Sequence, residues 1–163
     1  MSNSENLRLA MRHYPTGVCV VTSLTGKQIP QGMTANSFVS VSLDPPSVTV
    51  TMAVQSRTYQ AVMESQVFAV TMLSFHQKAL ADRFAGRTEE DNDRFVGVDS
   101  FTLQTGAPLL VGGLAWLDCR VVHSYPVGAS TLFVGEVLVS KASDEVEPLV
   151  YLNQKFHKLG DEI

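Results

Sequence analysis

Cysteine is scarce in this sequence. Cys19 and Cys119 stand far apart in apolar stretches and form no C-x-x-C pair. That excludes a disulfide scaffold and a dithiol motif, and reads as two buried free thiols in a reducing, cytoplasmic setting. Charge is scarce too. Charged residues make up 17% of the chain, the net charge is −4, and no Lys/Arg cluster offsets it, so nucleic acid is not an expected partner. No apolar run approaches the ~18 residues that a membrane-spanning helix needs. Residues 1–12 carry charges where a secretory leader needs an apolar segment. The common catalytic signatures are also missing: no phosphate-binding G-x-x-x-x-G-K-[ST], no G-x-G-x-x-G after a strand, no H-E-x-x-H and no G-x-S-x-G. His13, His76, His123 and His157 lie far apart without metal-ligand spacing, and read as surface or satisfied core residues with no metal site.

What is present is an ordinary globular composition, 45% hydrophobic over 163 residues, which fits a single domain spanning residues 1–163. Ser2 and Glu5 have capping-box spacing, and Leu7, Ala10, Met11 and Tyr14 fall on one face of the helix that follows. Pro15 ends it. Residues 17–24 read as a strand closed by a turn at Gly26, and residues 31–43 as one strand kinked near Gly32. Asp44-Pro45-Pro46 is a turn, residues 48–54 a strand, and Tyr59, Val62 and Met63 mark a short helix after Ser56. Residues 67–73 form a strand and residues 75–84 a helix. Glu89, Glu90, Asp91 and Asp93 read as a solvated loop. Beyond Pro108, Gly112 and Gly113 come three β-like runs, 114–125, 131–141 and 149–156. Many strands with a few short helices and no repeat favour a closed, mainly β barrel over an alternating α/β sheet.

Two segments carry candidate chemistry. Gly32-Met33-Thr34-Ala35-Asn36-Ser37 sets hydroxyls, an amide and approachable backbone within six residues. Such a segment suits the polar edge of a flat ring such as a flavin, and equally suits a polar edge strand. Ser56-Arg57-Thr58 opens the second helix, where two hydroxyls, a guanidinium and free backbone N–H groups bind a phosphate or simply cap the helix.

The order of segments resembles the flavin reductase-like, FMN-binding split-barrel family. The resemblance starts with Tyr14-Pro15-Thr16-Gly17-Val18-x-Val20-Val21-Thr22 and is most diagnostic over residues 32–46, Gly32 to Pro46. It continues through Ser56-x-Thr58, Phe68-Ala69-Val70-x-Met72-Leu73, Phe84-Ala85-Gly86, Gly106-x-Pro108-Leu109 and Leu117-Asp118-Cys119. Leu132-Phe133-Val134-Gly135-Glu136-Val137 and Pro148-Leu149-Val150-Tyr151 close it. The resemblance implies a six-stranded, Greek-key-like split β-barrel with a few flanking helices. It implies a homodimer with FMN or FAD near the interface, reduced by NADH or NADPH, and a partner monooxygenase that receives reduced flavin. It places the flavin ring against Met33, Thr34, Ala35, Asn36 and Ser37, the phosphate near Ser56 and Thr58, and the outer cofactor near Arg83 and Phe84.

One position departs from the pattern. Where many members carry Gly-Asp-His, with the histidine near the nicotinamide, this chain reads Gly128-Ala129-Ser130. Ser130 hydrogen-bonds but does not titrate. His123 and Tyr125 are the nearest substitutes in sequence. The departure leaves a second reading open, a tightly FMN-binding electron-transfer protein fed by a protein partner.

Overall fold

The computed structural model describes residues 2–88, 93–144 and 147–162. Helix α1 (Asn3–Met11) starts at the expected capping box: Ser2 Oγ accepts from Glu5 N, and Glu5 reaches back to the Ser2 N–H. It buries none of its own residues. Leu7, Met11 and Tyr14, the apolar stripe of the sequence, are exposed.

The next segment crosses two sheets. Strand β1 (Thr16–Gly17) pairs with β11 (Leu149–Leu152), which forms a hairpin with β12 (Lys155–Lys158). One residue further on, β2 (Cys19–Leu24) joins the main antiparallel sheet, with β3 (Pro30–Ala35), β4 (Val39–Leu43), β5 (Pro46–Ala53), β6 (Val67–Met72), β9 (Ala115–Val127) and β10 (Ser130–Ala142). Its strand order is β3-β2-β6-β9-β10-β5-β4. Residues from β3 round to β5 share one interior, packed with Cys19, Val21, Val50, Met52, Phe68, Val70, Cys119 and Phe133. Six strands therefore wall the barrel, as the resemblance implies, and β4 adds a seventh at the edge. The two ends of this six-strand wall, β3 and β5, are not paired with each other. Instead, Ser37 after β3 bridges to β5, its Oγ donating to Thr51 O and accepting from Thr51 N, at 2.9 and 3.1 Å.

Strict alternation on β2 explains its unbroken apolar run. Cys19 and Val21 face the barrel interior, whereas Val18 and Val20 enter a second cluster with Leu73, Phe84, Leu110 and Leu149. Both faces are buried, so both positions are apolar. Helix α2 (Arg57–Ser65) buries Thr58, Ala61 and Val62 against the barrel and ends at Gln66 in the left-handed conformation (φ 59°). A 3-10 turn, Phe75–Gln77, leads into α3 (Lys78–Phe84), so the expected single helix over residues 75–84 is two pieces joined at Gln77. Strands β7 (Ser100–Thr102) and β8 (Pro108–Leu110) form a short ribbon. Leu110 N donates to Thr71 Oγ1 at 2.9 Å and Trp116 Nε1 to Leu110 O at 2.7 Å, tying the ribbon to the barrel. Asp118, fully buried, accepts both the N–H and the hydroxyl of Thr105.

Two further expectations need correction. Residues 31–43 are not one strand kinked at Gly32. The chain leaves the sheet at residues 36–38 and re-enters as β4 on the far edge. The run 149–156 is a hairpin, because Asn153 and Gln154 both adopt positive φ (48° and 61°) and form a two-residue turn without glycine. Of the acidic loop, Asp93 accepts from Phe95 N at 3.0 Å. Glu89, Glu90 and Asp91 lie outside the described residues.

Candidate functional site

β3 is an edge strand, and its alternation sorts the residues expected to meet a ring. Met33 and Ala35 turn into the barrel core. Gly32 and Thr34 turn outward to α3, where Thr34 Oγ1 donates to Ala81 O at 2.7 Å. Gly32 is a glycine for a spatial reason: a Cβ there would lie 2.7 Å from Phe84 Cε1 and 2.8 Å from Cδ1. Phe84 is fully buried and packs edge-on against Phe95 with centroids 5.1 Å apart. Its side chain is therefore a wall under β3 rather than an open contact surface.

Asn36 is the exposed residue where the strand breaks, and three clefts have it in their walls. The largest, about 330 Å³, runs between Tyr14–Cys19, Phe38–Val39 and the 148–149 segment. It is mostly apolar, but Thr16 lines it, and the buried Thr16 Oγ1 has no hydrogen-bond partner among the described residues. A second, about 160 Å³, lies between Thr34–Asn36, Ala85, Arg87, Tyr151 and Phe156. A third, about 190 Å³, lies between the end of α1 and the β11–β12 turn.

Towards the start of β3 the surface becomes cationic. Gln31, Gly32, Arg57 and Arg94 line a further hollow of about 110 Å³, with Asp93 as its one acidic lining residue among the described residues. Arg94 Nη1 donates to Gly32 O (3.0 Å) and Phe84 O (2.8 Å), clamping β3 to α3. Ser56 caps α2 by accepting from Tyr59 N at 3.1 Å, and its Oγ stands 3.9 Å from Met33 Sδ. Thr58 is 2% exposed. Arg83 donates to Val96 O at 2.7 Å. The structure thus brings Met33, Ser56 and the β3 residues together beside this hollow.

Ser130 opens β10, opposite Ala53 and Val127, while Ala129 O accepts from Val54 N at 3.1 Å. His123 and Tyr125 sit on the outer face of β9 with ring centroids 6.1 Å apart, and are not among the residues lining the clefts at Asn36. Arg94, Arg12 and Tyr151 line these hollows and were not among the candidates that the sequence offered. All three come from segments distant from β3 in the chain, and of them only Tyr151 falls within a motif of the resemblance.

The donor set fits a flavin. An unpaired strand edge and the Asn36 amide offer hydrogen bonds to a polar ring edge, an apolar cleft with an orphan hydroxyl adjoins them, and a capped helix start with guanidinium groups suits a phosphate.

Comparison with known proteins agrees with this chemistry. The family model described as flavin reductase like domain matches residues 11–160. An NADH-dependent FAD reductase from Streptomyces globisporus is 35% identical over 161 residues, covering 94% of this chain and 85% of the relative. An NADH-linked FMN reductase from Agrobacterium fabrum is 38% identical over 160 residues, covering 97% and 87%. The solved NADH:FAD oxidoreductase of Streptomyces globisporus, in complex with NAD and FAD fragments, superimposes with a TM-score of 0.88 at 34% identity, covering 97% of this chain and 93% of that one. The flavin reductase component of a bacterial two-component tryptophan halogenase gives 0.87 at 35% identity, covering 98% and 100%.

Proposed function

We propose that this chain, which belongs to the flavin reductase-like domain family, reduces FMN or FAD with NADH or NADPH. The observation that carries the proposal is the meeting of three clefts at Asn36, on the unpaired edge of β3, in a chain whose relatives of similar length are named NADH-dependent flavin reductases. When bound, flavin supplies a two-electron acceptor: hydride and a proton are taken up as NADH becomes NAD⁺.

The protein's part is positioning. The backbone of Met33–Ser37 and the Asn36 amide orient the polar ring edge. Ser56, Arg57 and Thr58 hold the phosphate end, and Arg83 and the Phe84 backbone border the outer cofactor. Ser37, bonded to Thr51 on the facing strand, keeps the strand break in one geometry, so that donor and acceptor meet at a fixed separation. Donor capture proceeds without an imidazole, since Ser130 stands in the family's histidine position.

The protein works as a homodimer. Val39, Val41, Val122, Tyr125 and Val127 are exposed on the outer sheet, where the register aligns Val39, Thr49, Val134 and His123 in one row. An apolar face of this kind calls for a cover, and a second copy supplies it. Reduced flavin passes to a partner monooxygenase. Two buried free thiols support a cytoplasmic setting. Steady-state oxidation of NADH that requires added FMN or FAD tests the assignment. A retained yellow chromophore with no NADH or NADPH oxidation would favour the electron-transfer reading that Ala129-Ser130 leaves open.

A further inference from the structure

The hollow beside Arg57 and Arg94 extends along β3 as far as Gly32, and Asn36 lies four residues beyond Gly32. At ~3.3 Å per residue, these points are about 13 Å apart. Flavin carries its phosphates on one side of its ring, so that hollow accounts for one anionic pole. A second cationic pole lies on the other side of Asn36, in the cleft of about 190 Å³ between the end of α1 and the turn at Asn153-Gln154. Arg8 and Arg12 both line it, together with Tyr14, Asn36 and Tyr151, and no Asp or Glu is among its lining residues.

Arginines near a helix C-terminus are favoured by the helix dipole alone. Two observations go beyond that. Neither guanidinium makes a hydrogen bond or ion pair among the described residues, and Arg12 Nε is buried with no partner. A buried, unsatisfied guanidinium N–H is costly, and it is relieved by an anion rather than by packing. The cleft is also held in shape without a ligand, because Asn153 N donates to Arg12 O at 2.9 Å and so ties the C-terminal hairpin to the end of α1.

We propose that this cleft binds the pyrophosphate of the pyridine dinucleotide, with Arg12 and Arg8 as its ligands. This rests on the reductase reading and locates its donor site. Tyr14 and Tyr151 flank the cleft and offer ring faces to the bases at either end of that pyrophosphate. The two arginines then do what the missing histidine does not: they anchor the donor by its charge, leaving its nicotinamide directed at Asn36.

The test is calorimetric titration of the flavin-free protein with ADP-ribose, which carries the pyrophosphate but no nicotinamide. Arg12→Gln and Arg8→Gln are compared with the parent, with adenosine and FMN as controls. The expected result is that each variant binds ADP-ribose about tenfold more weakly, one charge-assisted contact being lost. Adenosine and FMN affinities stay unchanged. Arg8 is exposed on α1 and its replacement leaves folding intact, so a loss there is not a folding defect. Parent and variant binding of ADP-ribose with equal affinity overturns the proposal, as does a parent that binds none. A loss of FAD affinity without a loss of ADP-ribose affinity also overturns it, assigning the cleft to the flavin instead. Failure of the reductase reading is seen separately, as a parent that oxidises neither NADH nor NADPH.

Discussion

At Gly32 the absence of a single carbon lets a buried helix residue support the edge strand that forms the site. Phe84 is enclosed on all sides, so its ring has nowhere to go when a Cβ arrives 2.7 Å away. Gly32→Val is expected to cost about 1–3 kcal/mol of overpacking, lowering Tm by roughly 3–10 °C in thermal denaturation. An unchanged Tm would mean that Phe84 does not support β3. The two thiols give a second test at this scale. Burial pushes the Cys19 thiol up to about 12, and burial followed by the neighbouring Asp118 charge does the same for Cys119. Both remain protonated at pH 8, because that pH lies far below the raised values. Neither is therefore expected to react with a thiol reagent at pH 8 until urea unfolds the chain. Rapid labelling of the native protein would contradict the packed interior.

Among the elements, α2 separates a structural role from a binding role most cleanly. Ser56 is an N-cap in the structure, so Ser56→Ala is expected to lower the stability of the flavin-free protein by about 1 kcal/mol whatever else it does. If the same hydroxyl also reaches the flavin phosphate, FMN affinity falls by about tenfold as well. Thr58→Val keeps the buried volume and removes the hydroxyl, and the same loss of affinity is expected in fluorescence titration. Full FMN affinity in both variants would return α2 to a purely structural role. The elements also show what was legible in the sequence. α1 was readable from Ser2 and Glu5, and β2 from its Val-rich run, because capping and β-branching act locally. The break at residues 36–38 was not readable, since it is decided by Ser37 finding Thr51 on the strand across the barrel. The Asn153-Gln154 turn was hidden for a different reason: it uses positive φ without the glycine that normally announces it. The Met33–Ser37 segment stood out by composition, yet only the sheet alternation reveals that Met33 and Ala35 point into the core. Arg12 and Arg94 enter the site through tertiary contacts alone.

For the whole molecule, the two larger cores hold one frame: the barrel interior, and the cluster between β2, α3 and the β1-β11-β12 sheet; a smaller third, around Ala69, Ala107 and Leu109, lies under the β7–β8 ribbon. The candidate site lies where these units meet and where the main sheet is left unpaired at β3. On the outer face of that sheet, β4 exposes Val39 and Val41, and β9 exposes Val122, Tyr125 and Val127. Val41→Lys combined with Val127→Lys is expected to convert a dimer to a monomer in sedimentation equilibrium, with the fold retained by circular dichroism. A dimer of unchanged strength would move the interface elsewhere. On the function proposed above, the clefts around Asn36 bring a pyridine dinucleotide to a flavin without the histidine that Ser130 replaces. Anaerobic mixing of the flavin-loaded protein with NADH, and separately with NADPH, tests it most directly. The oxidised-flavin absorbance is expected to bleach within seconds with at least one donor, whereas absorbance unchanged for minutes with both would overturn the reductase reading.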